Sequence, residues 1–125
     1  MKKSIFITGH NGMVGSNLLL YFKNKYKCLT IDRKKLDLRD EDKLNFYLKR
    51  KKPDIILHAA AKAGGIVSNS DQKIEMFIEN VEIQNSLFKS AYKQKIKKLI
   101  FLGSSCIYPK KSRIPINEED LLKGK

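Results

Sequence analysis

Two short stretches hold residues whose type and spacing could do chemistry. "TGHNGMVG" places Gly9, Gly12 and Gly15 as G-x-x-G-x-x-G, directly after the apolar run "SIFI". "FLGSSCIYPK" places Ser104, Ser105 and Cys106 where a second apolar run ends. Glycines after a strand let the backbone turn tightly and approach a pyrophosphate. The helix that follows offers unpaired N–H groups and a positive dipole end to that anion. Three glycines also fit a plain turn, and the motif has meaning only between a strand and a helix. A P-loop is excluded, because no Gly-Lys-Ser/Thr follows.

The loop carries His10, Asn11, Met13 and Val14 between its glycines. His10 reads as a loop-packing residue, since a pyrophosphate would fill the space a base needs. Asp32, at the end of the second apolar run, stands where a carboxylate accepts a hydrogen bond from an adenosine ribose. Arg33 follows it and suits a ribose 2′-phosphate instead. Together they leave the choice between NAD and NADP open. Asp37 and Leu38, in "LDLRD", are placed to meet an adenine, although a lone Asp37 equally forms a turn. At the second stretch, extended backbone would point Ser104 and Cys106 to the same side, with Ser105 turned away. A hydroxyl could hold a carbonyl oxygen there while the thiol exchanges a proton. A thiol of pKa near 8.5 would need local charge or dipoles to act as a base. Small residues merely ending a strand are the competing reading.

These residues need elements to hold them. Periodicity predicts strands over 4–8, 27–31, 54–61 and 97–105, and helices over 13–24, 39–52 and 71–92. Asp40 is the expected N-cap of the second helix, and Pro53 stops it. The third helix carries Ile74, Phe77, Ile78, Val81, Leu87, Phe88 and Ala91 at helical spacing. Near-continuous apolar strands alternating with helices predict an α/β fold, a doubly wound parallel sheet of Rossmann type. The expected strand order is 3-2-1-4, which puts strands one and four at the switch point, with Gly9 and Ser104 on the rim of one crevice. Residues 1–108 read as the dinucleotide-binding domain, and 109–125 as loop and the start of a remainder.

Composition narrows the field. The 125 residues are 42% hydrophobic, with 31% charged, which suits one globular domain. No apolar run reaches the roughly 18 residues of a membrane span, so no membrane partner is expected. Cys28 and Cys106 lack metal-ligand spacing, and the N-terminus reads as no export signal. Both predict a reduced, cytoplasmic protein. The net charge of +13 raises nucleic-acid binding. Of 26 basic residues, however, 22 are lysines spread along the chain. Arginine, the residue of bidentate base readout, is scarce, so a lysine-rich soluble surface is expected and no nucleic acid.

"TGHNGMVGS", "HAAAKAGGIVSN" and "FLGSSCIYPK" together resemble the extended short-chain dehydrogenase/reductase superfamily, in its nucleotide-sugar epimerase/reductase branch. The resemblance implies an NADP cofactor, with NAD as the alternative, and a GDP-4-keto-6-deoxy-mannose substrate. It also implies a homodimer at full length. Gly9, Gly12 and Gly15 would wrap the pyrophosphate. Ala59, Ala60 and Ala61 would form a backbone shelf beside the adenosine ribose and nicotinamide. Leu102, Gly103 and Ser104 would line the nicotinamide side. Ser104 would hydrogen-bond the 4-keto oxygen, and Cys106 would shuttle protons at carbons 3 and 5. Two departures stand out. Asn11 occupies a position where the family often has an arginine. The family's Tyr-x-x-x-Lys is expected beyond residue 125. Tyr21/Lys25 and Tyr47/Lys51 match that pattern but lie upstream of the serine strand and are rejected. The chain is therefore expected to be an N-terminal portion, inactive by itself, with strand four exposed as an edge.

Overall fold

The computed structural model describes residues 2–64 and 72–124. The elements run β1 (Ser4–Thr8), α1 (Met13–Phe22), β2 (Lys27–Leu29), α2 (Glu41–Lys51), β3 (Ile55–His58), α3 (Lys73–Lys93) and β4 (Lys98–Phe101). Short 3₁₀ turns follow at Ser105–Ile107 and Glu118–Asp120. Part of the "HAAAKAGGIVSN" resemblance, 65–69, and the expected helix start at 71 lie outside the described residues.

All four strands are parallel, and the fold is the doubly wound α/β arrangement that the alternation predicts. The two central strands are apolar on both faces. On one face Ile5, Ile7 and Leu57 pack against Leu18, Leu19 and Phe22 of α1. On the other, Phe6 and Ile56 pack against Leu44 and Leu48 of α2 and Leu87 and Ala91 of α3. Alternate residues of one strand thus bury into opposite helical layers, which is why these strands read as continuous apolar runs. Asp40 caps α2 as expected, its carboxylate accepting from Lys43 N at 3.0 Å.

The strand order differs from the expectation. It is β2-β1-β3-β4, not 3-2-1-4. The physical reason lies in burial. Ile56 and Leu57 are fully enclosed, and an edge position for β3 would uncover them. The three-residue β2, beginning with Lys27, tolerates the edge better. After β2 the chain therefore crosses over β1, and the switch point falls between β1 and β3. β4 forms the other edge, as expected.

The end of β4 and the buried face of α3 also differ from the expectation. β4 stops at Phe101 rather than 105, because Ser104 folds back to accept from Cys106 N at 3.1 Å and opens a 3₁₀ turn. On α3 the buried residues are Glu79, Ile83, Ser86, Leu87, Ser90 and Ala91. Ile74, Phe77, Ile78 and Phe88 of the expected apolar stripe stand exposed instead.

Candidate functional site

The carboxyl ends of β1 and β3 open into a cleft of about 230 Å³. Its floor is made by Gly9, Gly12 and the backbone of Ala59–Ala61, and its far wall by Arg33, Asp37, Leu38 and Ile83. Gly9 makes the turn at φ +70°, a conformation that favours glycine. A Cβ there would stand 2.7 Å from the Ala59 carbonyl and the Ala60 nitrogen. The two strand ends are thus pressed together at the switch point.

Gly12 is the N-cap of α1, and no side chain caps that helix. Its first-turn N–H groups face the loop, with the positive end of the helix behind them. α2 contrasts, with Asp40 on its N-cap and Glu41 and Asp42 in its first turn. Gly15 is buried, and Gly12 N donates to Gly9 O at 2.9 Å, closing the loop. Met13 and Val14 point outward and stay exposed.

Beside the glycine loop, Asn11 Nδ2 donates to Asp32 Oδ1 at 2.9 Å, and His10 Nε2 lies 3.5 Å from the same oxygen. The Asn11 hydrogen bond, followed by the nearby His10 and Lys35, lowers the Asp32 carboxyl from its ordinary value. Asp37 binds Arg39 through both carboxylate oxygens, and that hydrogen bonding holds its pKa at about 2. Asp37 therefore serves as an ion-pair partner while lining the cleft.

Three cleft features were not read from the sequence. Glu79 of α3 is enclosed by Arg33, Lys62 and Arg39. Lys62 is pinned through its backbone, where Asn80 takes both the N–H (2.7 Å) and the C=O (2.9 Å). Beneath the cleft, Thr8 Oγ1 lies 2.7 Å from His58 Nδ1 and accepts from Ala60 N at 3.3 Å. Burial pushes the His58 pKa down to about 4, so the ring is neutral at pH 7. The neutral ring and the Thr8 hydroxyl share one hydrogen bond, through Nδ1 and Oγ1. Nothing in the sequence marked Glu79, which shares its buried face with Ser86 and Ser90 as well as Ile83, Leu87 and Ala91. A histidine closing the run "DIILH" was the signal for His58.

The serine-cysteine turn requires a correction. Ser104 and Cys106 do not share a crevice rim directly with Gly9, because β3 stands between β1 and β4. Two strand spacings separate them, about 10 Å. Neither side chain lines the cleft, and the alternation of extended backbone does not apply, since Ser105–Ile107 is a 3₁₀ turn. Leu102, Gly103, Ser104, Ser105 and Cys106 are all exposed. Leu102 N still donates to His58 O at 3.2 Å, so this segment leaves the sheet beside Ala59, on the same carboxyl edge as the cleft. The two rejected pairs lie elsewhere. Tyr21 and Lys25 bond to each other at 2.9 Å on the surface near α1, and Tyr47 packs on Phe6 in the core.

A model of the NAD dependent epimerase/dehydratase family matches residues 5–125. The chain belongs to the NAD dependent epimerase/dehydratase family. Within this family it is 40% identical over 121 residues to a GDP-L-colitose synthase of Yersinia pseudotuberculosis, covering 96% of this chain. It is 37% identical over 123 residues to a GDP-L-fucose synthase of Sinorhizobium fredii, covering 98% of this chain. The chain spans 39% of the length of each of these two epimerase/dehydratase relatives. Among solved structures, a GDP-L-fucose synthetase from Naegleria fowleri bound to NADP superposes with a TM-score of 0.78 at 30% identity. That likeness covers 98% of this chain and 37% of the other. Among the described residues, no helix is long and apolar enough to cross a membrane, and no His/Cys/Asp/Glu group could hold a metal.

Proposed function

We propose that this chain is the dinucleotide-binding part of an NADP(H)-dependent epimerase/reductase that acts on a GDP-linked 4-keto-6-deoxy sugar. The observation that carries the reading is the uncapped start of α1 at Gly12, packed beside the Gly9 turn at the sheet's switch point. That arrangement fits a pyrophosphate: N–H groups and a helix dipole converge where no side chain intrudes. The cleft, about 230 Å³, takes in both the glycine loop and the Arg33–Leu38 wall, which suits the pyrophosphate and the adenosine end. The nicotinamide end then runs along the carboxyl edge toward Leu102.

In this reading Gly9, His10, Asn11, Gly12, Met13, Val14 and Gly15 form the pyrophosphate loop. Asp32 and Arg33 meet the ribose, and Asp37 and Leu38 flank the adenine. Ala59, Ala60 and Ala61 supply the shelf, and Leu102, Gly103 and Ser105 border the nicotinamide. Bound NADPH supplies the hydride that reduces carbon 4. Ser104 Oγ accepts a backbone N–H and keeps its own O–H free to donate to the 4-keto oxygen, where charge develops. Cys106, a free and exposed thiol two residues on, exchanges protons at carbons 3 and 5. The whole protein is a cytoplasmic homodimer in this reading, and the outward apolar face of α3, including Phe77 at 69% exposure, supports a subunit contact there.

Titrating the chain with NADPH while following nicotinamide fluorescence tests the reading. A saturable change is expected, and Gly12→Ala should abolish it. A wild-type signal that never departs from free NADPH contradicts it.

A further inference from the structure

We propose that Glu79 is a specificity-determining residue, which sets the preference between a 2′-phosphate and a 2′-hydroxyl dinucleotide by competing for Arg33. The inference rests on the dinucleotide reading above and goes beyond it. Glu79 faces inward from α3, and its side chain is 11% exposed. Arg33 Nη2 donates to Glu79 Oε1 at 2.6 Å, while the Arg33 side chain as a whole is 65% exposed. Arg33 follows Asp32, at the place where an adenosine ribose presents its 2′ substituent. A guanidinium is the side chain suited to a 2′-phosphate, through its fork of N–H donors. Here that fork is engaged by a carboxylate across the cleft. Asp32, fixed by Asn11, offers a second carboxylate, which accepts from a hydroxyl and repels a phosphate. As arranged, these two carboxylates lessen the preference for a 2′-phosphate without removing it.

Arg33 can nevertheless be released. A buried carboxylate stripped of every cation is strongly destabilising. Glu79, however, keeps Lys62 Nζ at 3.4 Å and Arg39 Nη1 at 3.9 Å when Arg33 leaves. Neither depends on Arg33: Asn80 fixes the Lys62 backbone, and Asp37 holds the Arg39 guanidinium. The contest for Arg33 is therefore between two anions, one fixed in α3 and one carried by the ligand. A purely structural pair would act on both dinucleotides alike.

The test is calorimetric titration of the 125-residue chain with NADP⁺, NAD⁺, 2′,5′-ADP and 5′-AMP. Glu79→Gln is expected to raise the NADP⁺-over-NAD⁺ affinity ratio about tenfold, with the same rise for 2′,5′-ADP over 5′-AMP. Arg33→Ala in that background should remove the gain. Glu79→Asp, which keeps the charge beside Lys62 but cannot reach Arg33 as closely, should give a smaller rise and guards against misfolding of the neutral variant. An unchanged ratio, or an equal loss for both dinucleotides, overturns the role of Glu79 while leaving the dinucleotide reading intact. Wild-type protein that binds none of the four ligands overturns that reading, and the inference with it.

Discussion

A methyl group on Gly15 would lie 2.1 Å from the Gly9 carbonyl oxygen and 2.9 Å from the His10 Cα, both rigid backbone. On Gly12 it would meet only the Gly9 oxygen, at 3.3 Å. The same small residue therefore does two different jobs. Gly15 lets the loop pack on the helix, whereas Gly12 leaves room for a ligand. Gly15→Ala is expected to cost roughly 2 kcal/mol or more of stability, since backbone must move to admit the Cβ. Gly12→Ala should cost under about 1 kcal/mol and still lose dinucleotide binding. Urea unfolding followed by circular dichroism, beside the NADPH titration, separates the two. Equal unfolding midpoints for Gly15→Ala and wild type would contradict the packing role. The glycine spacing was legible in the sequence because its neighbours were. An apolar run before it and a helical pattern after it leave little else for the three residues to do. Glu79 was not legible, because a glutamate in a helix is ordinarily solvent-facing, and its three cations come from segments distant in sequence.

At the scale of elements, β1 and β3 are joined by their backbone ladder and, at its end, by Thr8 and His58. His58 is enclosed, with the Phe101 ring 5.3 Å from its own. Its pKa of about 4 lies below the ordinary 6.5. As pH falls, the unfolded chain takes up this proton first. Stability from His58 is complete above about pH 6.5, is lost progressively toward pH 4, and falls no further below that. The loss is about 3 kcal/mol. Asp37, with its pKa lowered from 3.8 to about 2, weakens the fold only below that window. Urea midpoints measured from pH 7.5 to 4 should fall for wild type and fall less for His58→Gln. Identical slopes for the two proteins would contradict the buried neutral ring. The elements themselves were readable, but the end of β4 was not. Apolar pattern carries through Leu102, while the decision to turn is made by one hydroxyl, Ser104 accepting from Cys106 N.

At the scale of the molecule, sheet order is set by which strands can afford an open side. β3 cannot, and β2, short and lysine-bearing, can. The doubly wound pattern could be read from alternation, because the two central strands needed both faces covered. The order could not be read so directly. It depends on comparing the burial of β2 and β3, and the familiar order masks that comparison. The switch point therefore lies between Gly9 and Ala59, with the Ser104–Cys106 turn one strand further along the same edge. A dinucleotide crossing that edge would touch the ends of β1, β3 and β4 in turn. The most direct measurement is a two-dimensional ¹⁵N–¹H spectrum of the chain titrated with NADPH. Shifts should concentrate on Gly9, Gly12, Arg33, Ala60 and Gly103, and persist in salt that screens the lysine surface. Shifts scattered over surface lysines that vanish in salt, or no shifts at all, would contradict the account.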